Sequence, residues 1–174
     1  MGLELLKKIT VVVSDVDGVL TDGSIIVGPA GETKVFNVRD GMGIKLFQKS
    51  GGQFALLSGR ASKPVLARAA ELGIDVVKTG RLDKQTALEE IAAALNVDPS
   101  VMAYIGDDIP DLAPIRMAAL GFCPNDAVDE VKAAADCVVP LPGGGGVVRY
   151  VIEMILKARG LWDQYVAHYE VNHG

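Results

Sequence analysis

Histidine is nearly absent from this chain of 174 residues: it has two, His168 and His173, both in the last seven positions. That excludes a histidine metal centre or a Ser-His-Asp triad in the body of the protein, so carboxylates must carry any metal binding or proton transfer. Cysteine is equally scarce. Cys123 and Cys137 are too few and too widely spaced for a disulfide framework or a zinc site, and they read as small buried hydrophobes. An excess of positive charge is also missing. With 17 Lys and Arg against 22 Asp and Glu, the net charge of −5 argues against a general nucleic-acid surface, which draws its affinity from clustered cations. Apolar runs such as Met117 to Cys123 are too short to span a bilayer. The opening Met1-Gly2-Leu3-Glu4 has no basic n-region, and Leu6 stands where a myristoylation signal needs Ser or Thr. The expectation is a cytoplasmic protein that engages neither nucleic acid nor membrane.

What is present is apolar content enough for one core, 49% of residues, without internal repeats or low-complexity tracts. A single domain over residues 1–174 is expected. The β-branched run Ile9-Thr10-Val11-Val12-Val13 does not alternate with polar residues, as in a strand covered on both faces. Similar runs recur at Phe54-Ala55-Leu56-Leu57, Asp75-Val76-Val77, Met102-Ala103-Tyr104-Ile105 and Ala119-Leu120-Gly121-Phe122. Between them, Val65, Leu66, Ala69 and Leu72, then Ala87, Leu88, Ile91, Ala94 and Leu95, and finally Val147, Val148, Val151, Ile152, Ile155 and Leu156 fall on single helical faces. Ser62 and Pro64 suit the N-cap and first turn of the first of these helices. Strands alternating with helices predict a doubly wound, parallel (Rossmann-like) α/β sheet. One stretch interrupts the alternation: residues 24–37 read as a β-hairpin inserted after the first strand, with Gly28 to Glu32 as its loop. Gly160 ends the last helix, and the aromatic tail 160–174 either docks or frays.

The chemistry-bearing residues follow strands, where doubly wound sheets bind ligands. Asp15-Val16-Asp17-Gly18 ends the first strand, Ser58-Gly59-Arg60 the second and Gly106-Asp107-Asp108 the fourth, with Asp111 close behind. Asp111 suits either a further acid of the site or a helix cap. Lys84 opens a helix, where its charge opposes the helix dipole and is better explained by a neighbouring anion. Clustered acids repel one another unless a cation compensates. Oxygen-only ligation suits a hard ion, and Mg²⁺ in particular shares its shell with substrate phosphate.

These elements, in this order, resemble the haloacid dehalogenase superfamily of phosphatases. Asp17-Gly18-Val19-Leu20-Thr21-Asp22-Gly23 and Phe36-Asn37-Val38-Arg39-Asp40-Gly41 are further similar to its 3-deoxy-D-manno-octulosonate 8-phosphate phosphatase group, over about residues 9 to 160. The resemblance implies a capless, homotetrameric phosphatase of a small sugar phosphate. It implies Asp15 as the nucleophile that forms an aspartyl-phosphate, and Asp17 as the acid that protonates the leaving oxygen and then activates water. It implies Mg²⁺ on the Asp15 carboxylate, the Asp17 carbonyl and Asp107, with Asp108 orienting ligands or waters alongside. Ser58, Gly59 and Lys84 would then bind phosphate.

Arg39, Arg60 and Arg149 are candidates to bind a sugar carboxylate, since a guanidinium matches it bidentately. The group usually carries Gly-Gly-Arg-Gly before the last helix, whereas this chain reads Gly143-Gly144-Gly145-Gly146. The four glycines suit an anion nest or a flexible loop. A non-catalytic Mg²⁺-binding phospho-acceptor, or an oligomeric scaffold of the same fold, is the alternative class. Receiver-like phospho-acceptors lack the second acid that Asp17 supplies.

Overall fold

The computed structural model describes residues 2–29 and 31–171. Ala30 of the expected hairpin loop, His173 and the end of the tail lie outside them. Helix α1 (Leu3–Lys8) leads into β1 (Val11–Ser14), then a hairpin of β2 (Ile26–Gly28) and β3 (Gly31–Thr33). The chain continues through α2 (Val38–Lys49), β4 (Gln53–Leu57), α3 (Lys63–Leu72), β5 (Val76–Lys78) and α4 (Lys84–Leu95). It then forms β6 (Met102–Ile105), α5 (Leu112–Met117), β7 (Leu120–Pro124), α6 (Asp129–Ala134), β8 (Cys137–Val139), α7 (Val147–Ala158) and α8 (Trp162–Val171).

Six strands form one parallel sheet in the order β5-β4-β1-β6-β7-β8. The chain therefore winds outward from β1 to β5, returns to β6 and winds outward the other way. The switch in direction lies between β1 and β6, paired in register from Val11↔Met102 to Ser14↔Ile105. The valines of β1 explain why the run lacks alternation. Val12 packs with Leu56, Ala103, Phe122, Ile152 and Ile155 on one face. Val11 and Val13 pack with Ala55, Leu57, Leu88, Ile91 and Tyr104 on the other. Burying Val, Leu or Ile contributes roughly 1.5–3 kcal/mol each, so the two-sided core fixes the strand's register and leaves its carboxyl end free for chemistry.

The expected five strands and three helices are present, and β8 is a sixth. Cys137-Val138-Val139 is only three residues long and its Val138 is exposed, which left too weak a pattern to read. The hairpin is shorter than the sequence suggests, closing at Gly28↔Gly31 rather than through a five-residue loop. Ser62 occupies the N-cap position of α3 but makes no capping bond, and its hydroxyl is buried without a partner. The aromatic tail docks as α8: Trp162 and Tyr165 pack against the core, and the Arg149 guanidinium stacks 4.8 Å over the Trp162 ring. No helix among the described residues is long and apolar enough to cross a membrane.

Candidate active site

Asp15 leaves β1 with its N–H donated to the Ile105 carbonyl of β6 at 2.9 Å, which sets it at the switch in the sheet. Its carboxylate is almost fully buried. Oδ1 accepts from the Val16 N–H at 2.6 Å and Oδ2 from Lys84 Nζ at 2.7 Å. Lys84, also buried, donates a second bond of 2.6 Å to Asp111 Oδ1. The anions that explain a lysine at the start of α4 are thus the protein's own.

Asp107 follows β6 and faces Asp15. Ligand oxygens of Asp15, Asp107 and Asp111 lie within 4.8 Å of one another. Gly18 makes this approach possible: a Cβ there would sit 2.0 Å from Asp107 Oδ2, and its φ of +87° already disfavours a side chain. Burial, reinforced by Asp111, pushes Asp15 up to about 7, with Lys84 opposing. Burial and the charges of Asp15 and Asp111 push Asp107 up to about 8. Lys84 is shifted upward by its two carboxylates despite its own burial.

Asp111 occupies the N-cap position of α5 but makes no capping bond there, so its carboxylate is a brace for the acidic turn and Lys84 and not a cap of that helix. Its Oδ2 accepts from the N–H groups of Asp107 at 3.1 Å and Asp108 at 3.2 Å, closing the turn after β6. Its Oδ1 accepts from Lys84 and from the buried Tyr104 hydroxyl at 2.6 Å. All four of its acceptor positions are used, so it holds its neighbours in place rather than offering an oxygen. Asp107 Oδ1, in contrast, is buried without a hydrogen-bond partner. Asp108 is exposed and caps the Ile109 N–H at 2.8 Å.

Asp17 turns away from this cluster toward the hairpin. Its Oδ1 accepts from Lys34 Nζ, while Oδ2 lies 3.8 Å from the Arg60 Nε. Ser58, buried at the end of β4, accepts the Arg60 N–H at 3.2 Å and is followed by Gly59. Of the three arginines, only Arg60 reaches the acids. Arg39 and Arg149 line a separate groove of about 420 Å³ with Gly145, Tyr150 and Glu153.

The glycine run is anchored rather than loose. Gly144 N–H donates to the Val19 carbonyl at 2.9 Å, its own carbonyl accepts from Asn37 Nδ2 at 3.0 Å, and a Cβ on Gly143 would fall 2.1 Å from the Gly18 carbonyl oxygen. Gly143 and Gly144 therefore support the loop that carries Asp17. Gly145 has a different constraint, since a Cβ there would lie 2.8 Å from the Pro142 carbonyl oxygen.

Asp40 secures the same region from α2. It accepts the Arg149 N–H at the start of α7 at 2.7 Å, its Oδ2 is buried without a partner, and burial raises it to about 6. An acid raised from 3.8 to about 6 binds protons more tightly when folded, so its destabilising contribution grows as pH rises through this window and vanishes below it. Asp40→Asn keeps an acceptor for Arg149 and removes the charge. It is expected to be more stable than the wild type at pH 8, by up to about 3 kcal/mol, with the difference closing near pH 4. Thermal melts across that range check the sign.

The roles of Lys34, Glu32 and Tyr104 carry no signal in the sequence. A lysine in a hairpin ordinarily reads as solvated, and Tyr104 reads as part of an apolar strand.

A model of haloacid dehalogenase-like hydrolases matches residues 73–151. The 3-deoxy-D-manno-octulosonate 8-phosphate phosphatase KdsC of Haemophilus influenzae is 42% identical over 156 residues, 89% of this chain and 87% of that protein. The KdsC of Escherichia coli K12 is 38% identical over 159 residues, 91% and 85% of the two chains. A crystal structure of 3-deoxy-D-manno-octulosonate 8-phosphate phosphatase from Moraxella catarrhalis, in complex with a magnesium ion, a phosphate ion and KDO, superposes with a TM-score of 0.93. It is 40% identical and covers 96% of this chain and 97% of that one. The chain therefore belongs to the haloacid dehalogenase-like hydrolases, and within them to the 3-deoxy-D-manno-octulosonate 8-phosphate phosphatase family.

Proposed function

We propose that the chain is a Mg²⁺-dependent phosphatase of 3-deoxy-D-manno-octulosonate 8-phosphate or a related nonulosonate phosphate. The observation that carries this reading is the convergence of Asp15 and Asp107 at the switch in the sheet, with Lys84 buried against Asp15. Its relatives bear the same activity in their names.

The donor set fits a hard divalent cation. Asp15 and Asp107 are neighbouring carboxylates pushed upward, Asp15 by burial and Asp111, and Asp107 by burial and the charges of Asp15 and Asp111, so a cation between them is favoured, and Asp107 Oδ1 has no other partner. Asp15, Asp107 and the Asp17 carbonyl would hold Mg²⁺, which when bound offsets the repulsion between carboxylate and phosphate. The Asp15 carboxylate attacks phosphorus to form an aspartyl-phosphate, and Asp17 gives a proton to the departing sugar oxygen. Asp17 then takes a proton from the water that cleaves the acyl phosphate. Ser58, the Gly59 N–H and Lys84 bind the phosphoryl oxygens, and Asp108 helps orient the water around Asp107. Arg60, beside Asp17, is placed for the sugar end of the substrate; Arg39 and Arg149 would act there only across a subunit boundary.

The same reading takes the protein as a cytoplasmic homotetramer. Ile26, Val27, Val35 and Val38, all more than half exposed on and after the hairpin, support a subunit contact there.

Phosphate release from a panel of sugar phosphates, with and without a carboxylate, tests the function. Octulosonate and nonulosonate phosphates are expected to be hydrolysed with kcat/KM at least ~10-fold above neutral sugar phosphates, and EDTA is expected to stop all release until Mg²⁺ is restored. Equal rates across the panel would remove the sugar-acid assignment. No Mg²⁺-dependent release from any phosphomonoester would leave the non-catalytic phospho-acceptor.

A further inference from the structure

The hairpin places its side chains in an unexpected order. Ile26, Val27 and Val35 face outward, while the charged side chain of Lys34 is fully enclosed. Burying an ammonium in place of a neighbouring valine is costly unless the charge is fully paired. Here it is paired: Lys34 Nζ donates to Asp17 Oδ1 and lies 2.9 Å from Glu32 Oε1, and Glu32 is in turn 3.4 Å from Arg60. Two lysines are buried among the described residues, and each is bound to one acid of Asp15-Val16-Asp17.

The pairing distinguishes the two oxygens of Asp17. Oδ1 is occupied by Lys34, whereas Oδ2 makes no hydrogen bond and has only the Arg60 Nε near it, at 3.8 Å. An ammonium has three donors and no acceptor, so Oδ1 remains an acceptor whether Asp17 is ionised or neutral. Lys34 thereby leaves Oδ2 as the oxygen of Asp17 that is open to exchange with a substrate.

We infer that Lys34 is a positioning residue for Asp17: the hairpin reaches back over the site and selects Oδ2 as the oxygen that exchanges the proton. This rests on the proposed phosphatase reading. As the Asp15 carboxylate bonds to phosphorus and the P–O bond to the substrate breaks, the bonding pair stays on the substrate oxygen, which takes the proton from Asp17 Oδ2. Glu32 holds Lys34 against Asp17, and a shift of about 1 Å in such an acid costs on the order of 10²-fold.

The dependence on leaving group isolates this role. A primary alkyl phosphate expels an alkoxide that needs the proton, whereas 4-nitrophenyl phosphate expels a stable phenolate that scarcely does. Lys34→Met is expected to lower kcat/KM by roughly 30–100-fold for the alkyl phosphate and by less than about fivefold for the nitrophenyl ester. Lys34→Arg is expected to recover most of the loss. Hydrogen exchange across residues 24–35 is expected to rise in Lys34→Met, because the hairpin loses its tie to the body.

Equal losses on both substrates would show a structural role only, and wild-type kinetics in Lys34→Met would remove any role; either overturns the inference. Failure of the phosphatase reading is separate, since it shows in the wild type as absent hydrolysis. In that event unchanged exchange in Lys34→Met would still overturn the tie, and faster exchange would sustain it.

Discussion

Asp15→Asn is expected to reduce phosphate release by at least ~10³-fold while leaving the protein folded and more stable than the wild type at pH 8. The substitution preserves the shape of the side chain and its acceptor for the Val16 N–H. It removes the charge and the carboxylate oxygen proposed to attack phosphorus, and an amide does not replace either. The stability effect follows from the same geometry. Burial and Asp111 push Asp15 up to about 7, so keeping it ionised at pH 8 is costly to the fold. Because the folded state holds this proton to higher pH than the unfolded chain, the cost is absent at low pH and grows as pH rises through about 7. Asn removes it, relieves repulsion on Asp107, and leaves Lys84 its bond to Asp111. Loss of activity with a gain in melting temperature would mark Asp15 as a functional residue held against the preference of the fold. Retained turnover would sink the nucleophile assignment. The melts need Mg²⁺-free buffer, since a bound cation would stabilise the wild type selectively.

The contrast between Asp15 and Asp17 indicates how far the sequence could be read. Asp15, Ser58, Lys84 and Asp107 each follow a strand or open a helix, and a parallel sheet brings its strand ends to one edge whatever the details of packing. The convergence of Asp15, Lys84 and Asp107 is legible for that reason. The partner of Asp17 is not, because Lys34 sits in an insertion whose path over the sheet depends on tertiary contacts and not on periodicity. The same limit applies to Asp111, whose acceptors are divided between a turn and a lysine 27 positions away in sequence. Gly143 and Gly144 looked like possible slack in the chain. Their close packing on the backbone of residues 18–22 is a contact across more than a hundred positions, which local composition does not encode. Conversely, β8 is illegible in the sequence although its environment is ordinary, since three residues with one exposed valine do not make a pattern.

Lys84→Met is expected to be the most damaging single change at a residue that performs no bond-making step. Methionine fills a similar volume, so packing alone predicts little loss. Electrostatics predict much more. Lys84 is the only cation bonded to Asp15 or Asp111 among the described residues, and its removal leaves two buried carboxylates facing each other. Breaking a buried pair from one side costs roughly 3–5 kcal/mol, because the remaining charge is uncompensated. The protein limits that cost by taking up a proton, and Tyr104 can still donate to Asp111, so Asp15 is the group expected to become neutral. A neutral Asp15 is a poor nucleophile. Lys84→Met should therefore lower kcat/KM by at least ~10²-fold, with the rate recovering partly as pH rises and Asp15 ionises. Stability should move the opposite way with pH. A carboxyl whose folded pKa is raised loses stability as pH rises through it, so the deficit in melting temperature should widen from pH 6 to pH 9. Lys84 itself, shifted upward, remains charged over that range in the wild type and does not generate the trend. Activity rising with pH while the melting temperature falls is the expected signature. A deficit that is constant with pH would show that Lys84 acts through packing, and activity near wild type would remove it from the site.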